Sequence, residues 1–284
     1  MSWTHLIRFI AKEDAKVHLG QLVDTARDIG LDSISGHPIT AYEVQGSVFD
    51  GKVTGKELTV QQLLCPITRD QCDYIRCVGL NYKDHAEEAN LPLPKVPILF
   101  SKPRSALIGP YPEAVKIPKC AQDETSDYEA ELCVIIGKTG RDIKEEDAYN
   151  YVLGYTASND ISARKLQLSQ SQWCFGKGLD DSMPIGPVVV SPSVIKDPHT
   201  LSIKAIYNGT TVQSGHTQNM IFTIPQMIAY FSQGTTLEAG TIIVTGTPAG
   251  IGIVKNPRVF LEDKSDIRVE IENIGTLINK VEYE

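Results

Sequence analysis

Along the chain the apolar residues come in short runs separated by Gly, Pro, Asn and Asp. From Tyr74 onward these runs are YIRCVGL, VPILFSK, ELCVIIG, YVLGYTAS, IGPVVVS, LSIKAIY, GTIIVTG, IRVEIEN and GTLINKVEY. Short apolar or alternating runs bounded by turn formers predict strands. HLIRFIA, VHLGQLV and YEVQGSVF predict three more near the N-terminus, and TVQQLL, stopped by Pro66, predicts a short helix there. Longer helical windows are confined to KEEDAYNYV, ISARKLQLSQ and TIPQMIAYFSQG. Asn208-Gly209, between IKAIY and TVQSG, predicts a tight hairpin turn. Many short strands with little helix predict a β-rich α+β fold of the roll, sandwich or barrel kind. Residues 1–70 read as a small N-terminal β domain that packs or dimerises. Residues 71–284 read as the domain that carries the chemistry.

Composition narrows the partners. With 284 residues the chain can build one large core or two domains. A net charge of −8 argues against nucleic acid, which wants a basic face. No apolar run approaches the ~20 residues that cross a membrane, and the N-terminal stretch does not read as a secretory signal or a transit peptide. The six cysteines (Cys65, Cys72, Cys77, Cys120, Cys133 and Cys174) show no Cys-x-x-Cys and no Cys/His pairing. They read as free thiols in a reducing compartment. The expected location is the cytoplasm, with mitochondria the alternative.

Three acidic residues stand out. Glu129 and Glu131 lie two apart where DYEAELCVIIG enters an apolar strand, so they share a face. Carboxylates that close repel unless a positive charge compensates them. Asp160, at the end of the strand in YTASNDISAR, can add a third oxygen, and an all-carboxylate set favours magnesium, manganese or calcium over zinc. The alternative is a solvated strand face with Asp160 capping a helix. In GLNYKDHAEEAN, a turn and short helix, His85 and Glu88 are three apart and share a face. They make either a base for water or an exposed polar helix. Lys102 in FSKPRSA and Lys177 between two glycines in FGKGL can each neutralise a substrate carboxylate or an oxyanion, or sit on the surface as solvated charges. The loop in GTIIVTGTPAGIG can offer backbone N–H groups to an anion or be a plain turn. It matches neither the phosphate loop nor the dinucleotide fingerprint.

Taken in order, GLNYKDHAEE, FSKP, DYEAELCVIIG, GYTASNDISAR, GKGLDDSMPIGP, YNGTTVQSGHTQNMIF and VTGTPAGIG resemble the fumarylacetoacetate hydrolase superfamily across residues 74–284. The resemblance implies that family's mixed β-sandwich or roll, with a small N-terminal domain as in its two-part members. It implies Mg2+ or Mn2+ on Glu129, Glu131 and Asp160, and a His85–Glu88 dyad that activates water from a mobile lid. It further implies Lys177 in catalysis, and Arg164, Gln167 and Thr247 at the substrate together with Lys102. A homodimer is implied as well. A 2-oxo or 2,4-dioxo acid chelating the metal then leads to hydrolysis of an acylpyruvate-like C–C bond. The same site also supports oxaloacetate decarboxylation or keto–enol tautomerisation, and a non-catalytic calcium-holding β protein is the competing class. The polar stretch NYKDHAEEAN shows no apolar stripe, so the lid is expected to be mobile without ligand. Residues 89–96 and 165–174 are expected to shape the far pocket, with Trp173 either lining it or buried in the core.

Overall fold

The structure, a computed structural model, describes residues 3–284. Its strands gather into two large sheets. The larger follows the order Val17–Leu22, Thr40–Gln45, Lys52–Leu64, His5–Ala11, Met183–Val190, Val152–Asn159, Ala130–Ile136, Ile242–Val244, Ile75–Gly79 and Ile98–Lys102, and Leu107–Ile108 adds beside Met183–Val190. It is a mixed sheet: Ile242–Val244 runs parallel to Ile75–Gly79, and Leu107–Ile108 parallel to Met183–Val190. The second sheet holds Thr210–His216, Ser202–Tyr207, Asp266–Ile271, Gly275–Tyr283 and Val115–Ile117. Its first hairpin turns at Asn208 and Gly209 with φ of 47° and 79°, the left-handed pair such a tight turn requires.

Ala130–Ile136 is buried at every position. Leu132, Val134 and Ile136 join the core shared with Ile203, Ala205, Val269 and Leu277 of the second sheet. Cys133 and Ile135 face the opposite core, with Trp3, Ile67, Met183 and Ile242. A strand covered on both faces needs apolar residues without alternation, which is why this run reads as continuous. The same two-sided burial forces any charge at its start to find partners inside the protein.

The N-terminal strands join the large sheet through His5–Ala11, which pairs with Met183–Val190 at His5↔Val190 and Leu6↔Val189. Here the structure corrects two expectations. TVQQLL is not a helix but the end of Lys52–Leu64. Ile10 pairs with Gln62 and Ala11 with Val60, so Gln61 is a bulge. The extra residue sets the buried Val60 and Leu63 three apart, a spacing that imitates a helix. Ile29–Ser35 is a helix that the strand reading of this region missed, because Gly30 reads as a breaker. Asp28 caps it, accepting from Gly30 N and Leu31 N, and also takes Thr276 N and Oγ1 from the C-terminal strand. A Cβ on Gly30 would stand 1.7 Å from Thr276 O, so close seating of the helix demands glycine.

Of the three helical windows, TIPQMIAYFSQG gives the helix Ile224–Phe231 with a Thr223/Gln226 capping box. ISARKLQLSQ gives a shorter one, Arg164–Leu168, after a two-residue strand. KEEDAYNYV closes only as a 3-10 segment, Glu145–Tyr151.

Candidate active site

The register of two strands assembles the acidic set. Ala130–Ile136 and Val152–Asn159 are antiparallel with Ala130 opposite Asn159 and Glu131 opposite Ser158. Asp160 N donates to Glu129 O at 2.9 Å, and Asn159 Oδ1 accepts from Glu129 N. Glu129, Glu131 and Asp160 are buried, and one carboxylate oxygen of each lies within 4.8 Å of the others. The spacing argument therefore holds in three dimensions.

Positive charge surrounds two of the three. Lys177 Nζ donates to Glu129 Oε2 at 2.7 Å and to Asp160 Oδ2 at 2.9 Å. Arg164 Nη1 lies 2.7 Å from Glu129 Oε1, and its Nε donates to Asp127 Oδ2 at 2.9 Å. Burial pushes Glu129 up, but the Lys177 and Arg164 charges outweigh it and hold this carboxyl well below its usual range. Burial likewise opposes the charges on Lys177 and Arg164, yet their carboxylate neighbours raise both. Glu131 differs. Gly246 N donates to its Oε2 at 2.5 Å, but no cationic side chain among the described residues pairs with it. Burial, then the charges of Asp160 and Glu129, drive it well above the ordinary carboxylate value. A divalent cation answers that excess negative charge, and three hard oxygens are the donor set such a cation takes. The residues present therefore fit a divalent metal.

His85 and Glu88 lie on the helix Lys83–Glu88. His85 Nδ1 is 3.1 Å from Glu88 Oε1, and Glu88 also accepts from Gly250 N at 2.8 and 3.0 Å. Burial would raise Glu88, but the contacts with His85 and Gly250 lower it on balance. An ionised Glu88 only accepts, so in the neutral imidazole Nδ1 carries the proton and Nε2 the lone pair. The expectation that this segment lacks apolar anchors is corrected: Tyr82 and Ala86, four apart, are both fully buried. Asn81 reinforces them by accepting from Phe222 N and donating to Thr245 O.

These residues open into one cavity of about 520 Å³. His85, Glu129, Glu131, Arg164, Gln167, Lys177 and Thr247 all line it, with Trp173 and the apolar residues of 89–94. Arg164 Nη2 is buried without a partner, a donor left for a ligand. Three expected site residues do not line the cavity: Glu88 contacts it through His85, Asp160 through Lys177, and Lys102 lies deeper. Its ammonium is fully buried beneath Asp160, 2.8 Å from Oδ1, and donates to the carbonyls of Ile161, Ser182 and Lys177 and to Ser182 Oγ. It supports Asp160 from behind instead of facing substrate.

Two site residues escaped the sequence reading. Asp127 receives Arg164 Nε together with the amides of Gly252 and Ile253, tying the guanidinium to the loop after the Thr247 turn. Gln213 donates to Thr247 Oγ1 and Pro248 O and accepts from Ala130 N, and so fixes Thr247 beside the acidic strand. The buried charge in SDYEAE was the available signal for Asp127; nothing local distinguishes Gln213.

Residues 74–282 match the sequence profile described as "Fumarylacetoacetate (FAA) hydrolase C-terminal", and the chain belongs to the fumarylacetoacetate hydrolase family. It is 42% identical over 293 residues to a caffeoylpyruvate hydrolase of Neonothopanus nambi, covering 100% of this chain and 94% of that one. It is 45% identical over 220 residues to the mitochondrial oxaloacetate tautomerase FAHD2A of Homo sapiens, covering 77% and 68% respectively. Among solved structures, a fumarylacetoacetate hydrolase from Exiguobacterium antarcticum superposes with a TM-score of 0.83 at 32% identity, covering 99% of this chain and 100% of that one. A 2-hydroxyhepta-2,4-diene-1,7-dioate isomerase from Mycobacterium marinum gives 0.81 at 30%, covering 99% of each. The chain is an enzyme.

Proposed function

We propose that the protein is a Mg2+- or Mn2+-dependent hydrolase that cleaves a C–C bond in a 2,4-dioxo, acylpyruvate-like carboxylic acid. The observation that carries this reading is His85. Its Nδ1 is committed to Glu88, and it opens into the same cavity as Glu129, Glu131 and the two buried cations Arg164 and Lys177. Glu129, Glu131 and Asp160 would hold the cation, which when bound supplies a Lewis acid for the 2-oxo carboxylate end. Arg164 Nη2 offers an unused donor to the substrate carboxylate, with Gln167 and Thr247 alongside.

Water adds to the C4 carbonyl while His85 Nε2 takes its proton and Glu88 holds the imidazole. The C3–C4 bond then breaks, and its electron pair passes to C3 and the C2 oxygen as an enolate, near the Lys177 ammonium. The imidazolium returns the proton to C3. The products are a carboxylic acid and pyruvate, with one water consumed.

The full-length likeness to a caffeoylpyruvate hydrolase supports hydrolysis. The likeness to an oxaloacetate tautomerase favours a second reading, tautomerisation or decarboxylation of oxaloacetate at the same site, which needs no attacking water. A panel of 2-oxo and 2,4-dioxo acids assayed with Mg2+, with products read by mass spectrometry, separates them. Release of pyruvate and an acid from a dioxo substrate supports hydrolysis. Turnover of oxaloacetate alone refutes it.

Three further features belong to this proposal: a division at about residue 70 into a small N-terminal β domain and a catalytic domain, a homodimer, and a cytoplasmic location with mitochondria the alternative. The profile match beginning at residue 74 supports the division. No helix among the described residues is long and apolar enough to cross a membrane.

A further inference from the structure

The cavity is polarised. Its charged lining residues are His85, Glu129, Glu131, Arg164 and Lys177. Glu129 bonds both cations and its carboxylate lies within 4.8 Å of that of Glu131, so these charges form one cluster. Apart from Gln167 and Thr247 the rest of the wall is hydrocarbon, with Leu91, Leu93, Phe100, Leu168, Trp173 and Val254 its main members. The two parts meet at Phe100, whose ring centroid lies 5.0 Å from Lys177 Nζ. Trp173 packs edge-on against Phe100, with ring centroids 5.7 Å apart and planes at 66°. The indole lies on Gly79, where a Cβ would come within 2.6 Å of its Cζ3, so the strand gives up a side chain to seat the ring.

From this we infer that the acyl arm of the substrate is uncharged, apolar and ring-sized, and that Trp173 is the residue that selects it. The inference rests on the dioxo-acid reading above and adds the chemistry of the arm beyond C4. Among the described lining residues, no cation lies outside the charged cluster. Lys177 is already held by Glu129 and Asp160, and the one open donor of Arg164, Nη2, goes to the 2-oxo carboxylate in the reading above. A second carboxylate packed against Phe100 and Trp173 would give up part of its hydration and meet only Lys177, which Glu129 and Asp160 already hold. A methyl group would leave the aromatic wall facing water it cannot bond. An aromatic acyl group fills the space and stacks edge-on or offset against the indole, the arrangement that aromatic pairs prefer.

The test is kcat/KM of the Mg2+-loaded enzyme on three probes: acetylpyruvate, benzoylpyruvate and fumarylpyruvate, whose arms end in a methyl, a phenyl and a carboxylate. Benzoylpyruvate is expected to exceed each of the others by about 10- to 100-fold. Trp173→Ala should cut the benzoylpyruvate value about tenfold and change acetylpyruvate by no more than a few-fold. Trp173→Leu, which keeps apolar bulk, should fall between the two and guards against misfolding of the alanine variant. A preference for fumarylpyruvate, or equal losses on all three probes in both variants, overturns the inference. If the enzyme turns over oxaloacetate but cleaves none of the probes, the hydrolase reading fails separately. The arm is then judged by competition. Tighter inhibition by benzoylpyruvate than by fumarylpyruvate upholds the apolar arm, and the reverse order or equality overturns it.

Discussion

Replacing Glu88 by glutamine tests the dyad with the least disturbance of shape. Glu88 Oε1 serves both His85 Nδ1, at 3.1 Å, and Gly250 N, while Oε2 takes Gly250 N at 2.8 Å. Both neighbours are donors, and a carboxylate satisfies both. A glutamine has one oxygen for them, and its NH2 must face one donor or the other. If the NH2 faces the imidazole, the ring must accept at Nδ1 and carry its proton on Nε2, which removes the base. If it faces Gly250, the oxygen at the Oε1 position still accepts from both neighbours, but the NH2 stands against the Gly250 N–H and the charge that supports an imidazolium is gone. Either way a positioned general base is lost or weakened, which is worth about 10²–10⁴ in kcat. At ~1.4 kcal/mol per decade this is roughly 3–5 kcal/mol of barrier. Stability should fall by only about 1 kcal/mol, the scale of one hydrogen bond. The assay is kcat on an acylpyruvate and on oxaloacetate with the same preparation, alongside a melting curve. Wild-type rates on both substrates would refute the dyad and return His85 to the role of a polar helix residue.

Lys102→Met should destabilise the fold by about 3–5 kcal/mol, because Asp160 loses a buried counter-charge and three carbonyls lose a buried donor. A urea midpoint equal to wild type would contradict its role beneath Asp160. Chelation should abolish turnover and Mg2+ or Mn2+ restore it, with Glu131→Gln shifting the dose upward; full activity after chelation, or stoichiometric zinc on active protein, refutes the metal assignment. Asp266 is pushed up by burial, but its bonds to Arg268 and Lys280 win and depress it. A depressed carboxyl stabilises the fold above its unfolded value, and that contribution is lost as pH falls through the folded one. Asp266→Asn should therefore be less stable than wild type at neutral pH, the gap closing below the usual carboxylate range; a gap independent of pH sinks this. Light scattering should return twice the monomer mass, and a monomer at working concentration contradicts the proposed dimer.

What could be read in advance was local and periodic. The two-residue repeat of a strand puts Glu129 and Glu131 on one face, and the three-residue repeat of a helix puts His85 beside Glu88. Asn208-Gly209 announces its turn because few other pairs accept left-handed backbone twice. The resemblance joined these fragments into one expected site.

What only tertiary structure decided was which charges meet across long separations. Lys102 finds Ile161, Lys177 and Ser182 between 59 and 80 residues away and is withdrawn from the cavity, although its sequence context matches that of a surface or substrate lysine. Gln213 reaches Ala130 from another sheet, 83 positions along the chain. The bulge at Gln61 disguises a strand as a helix because register depends on the partner strand, which one segment's pattern does not encode. Pattern fixes which face a residue shares with its near neighbours. Burial and partner choice come from the packing of distant segments, and they decide whether a lysine binds substrate or holds a carboxylate in place.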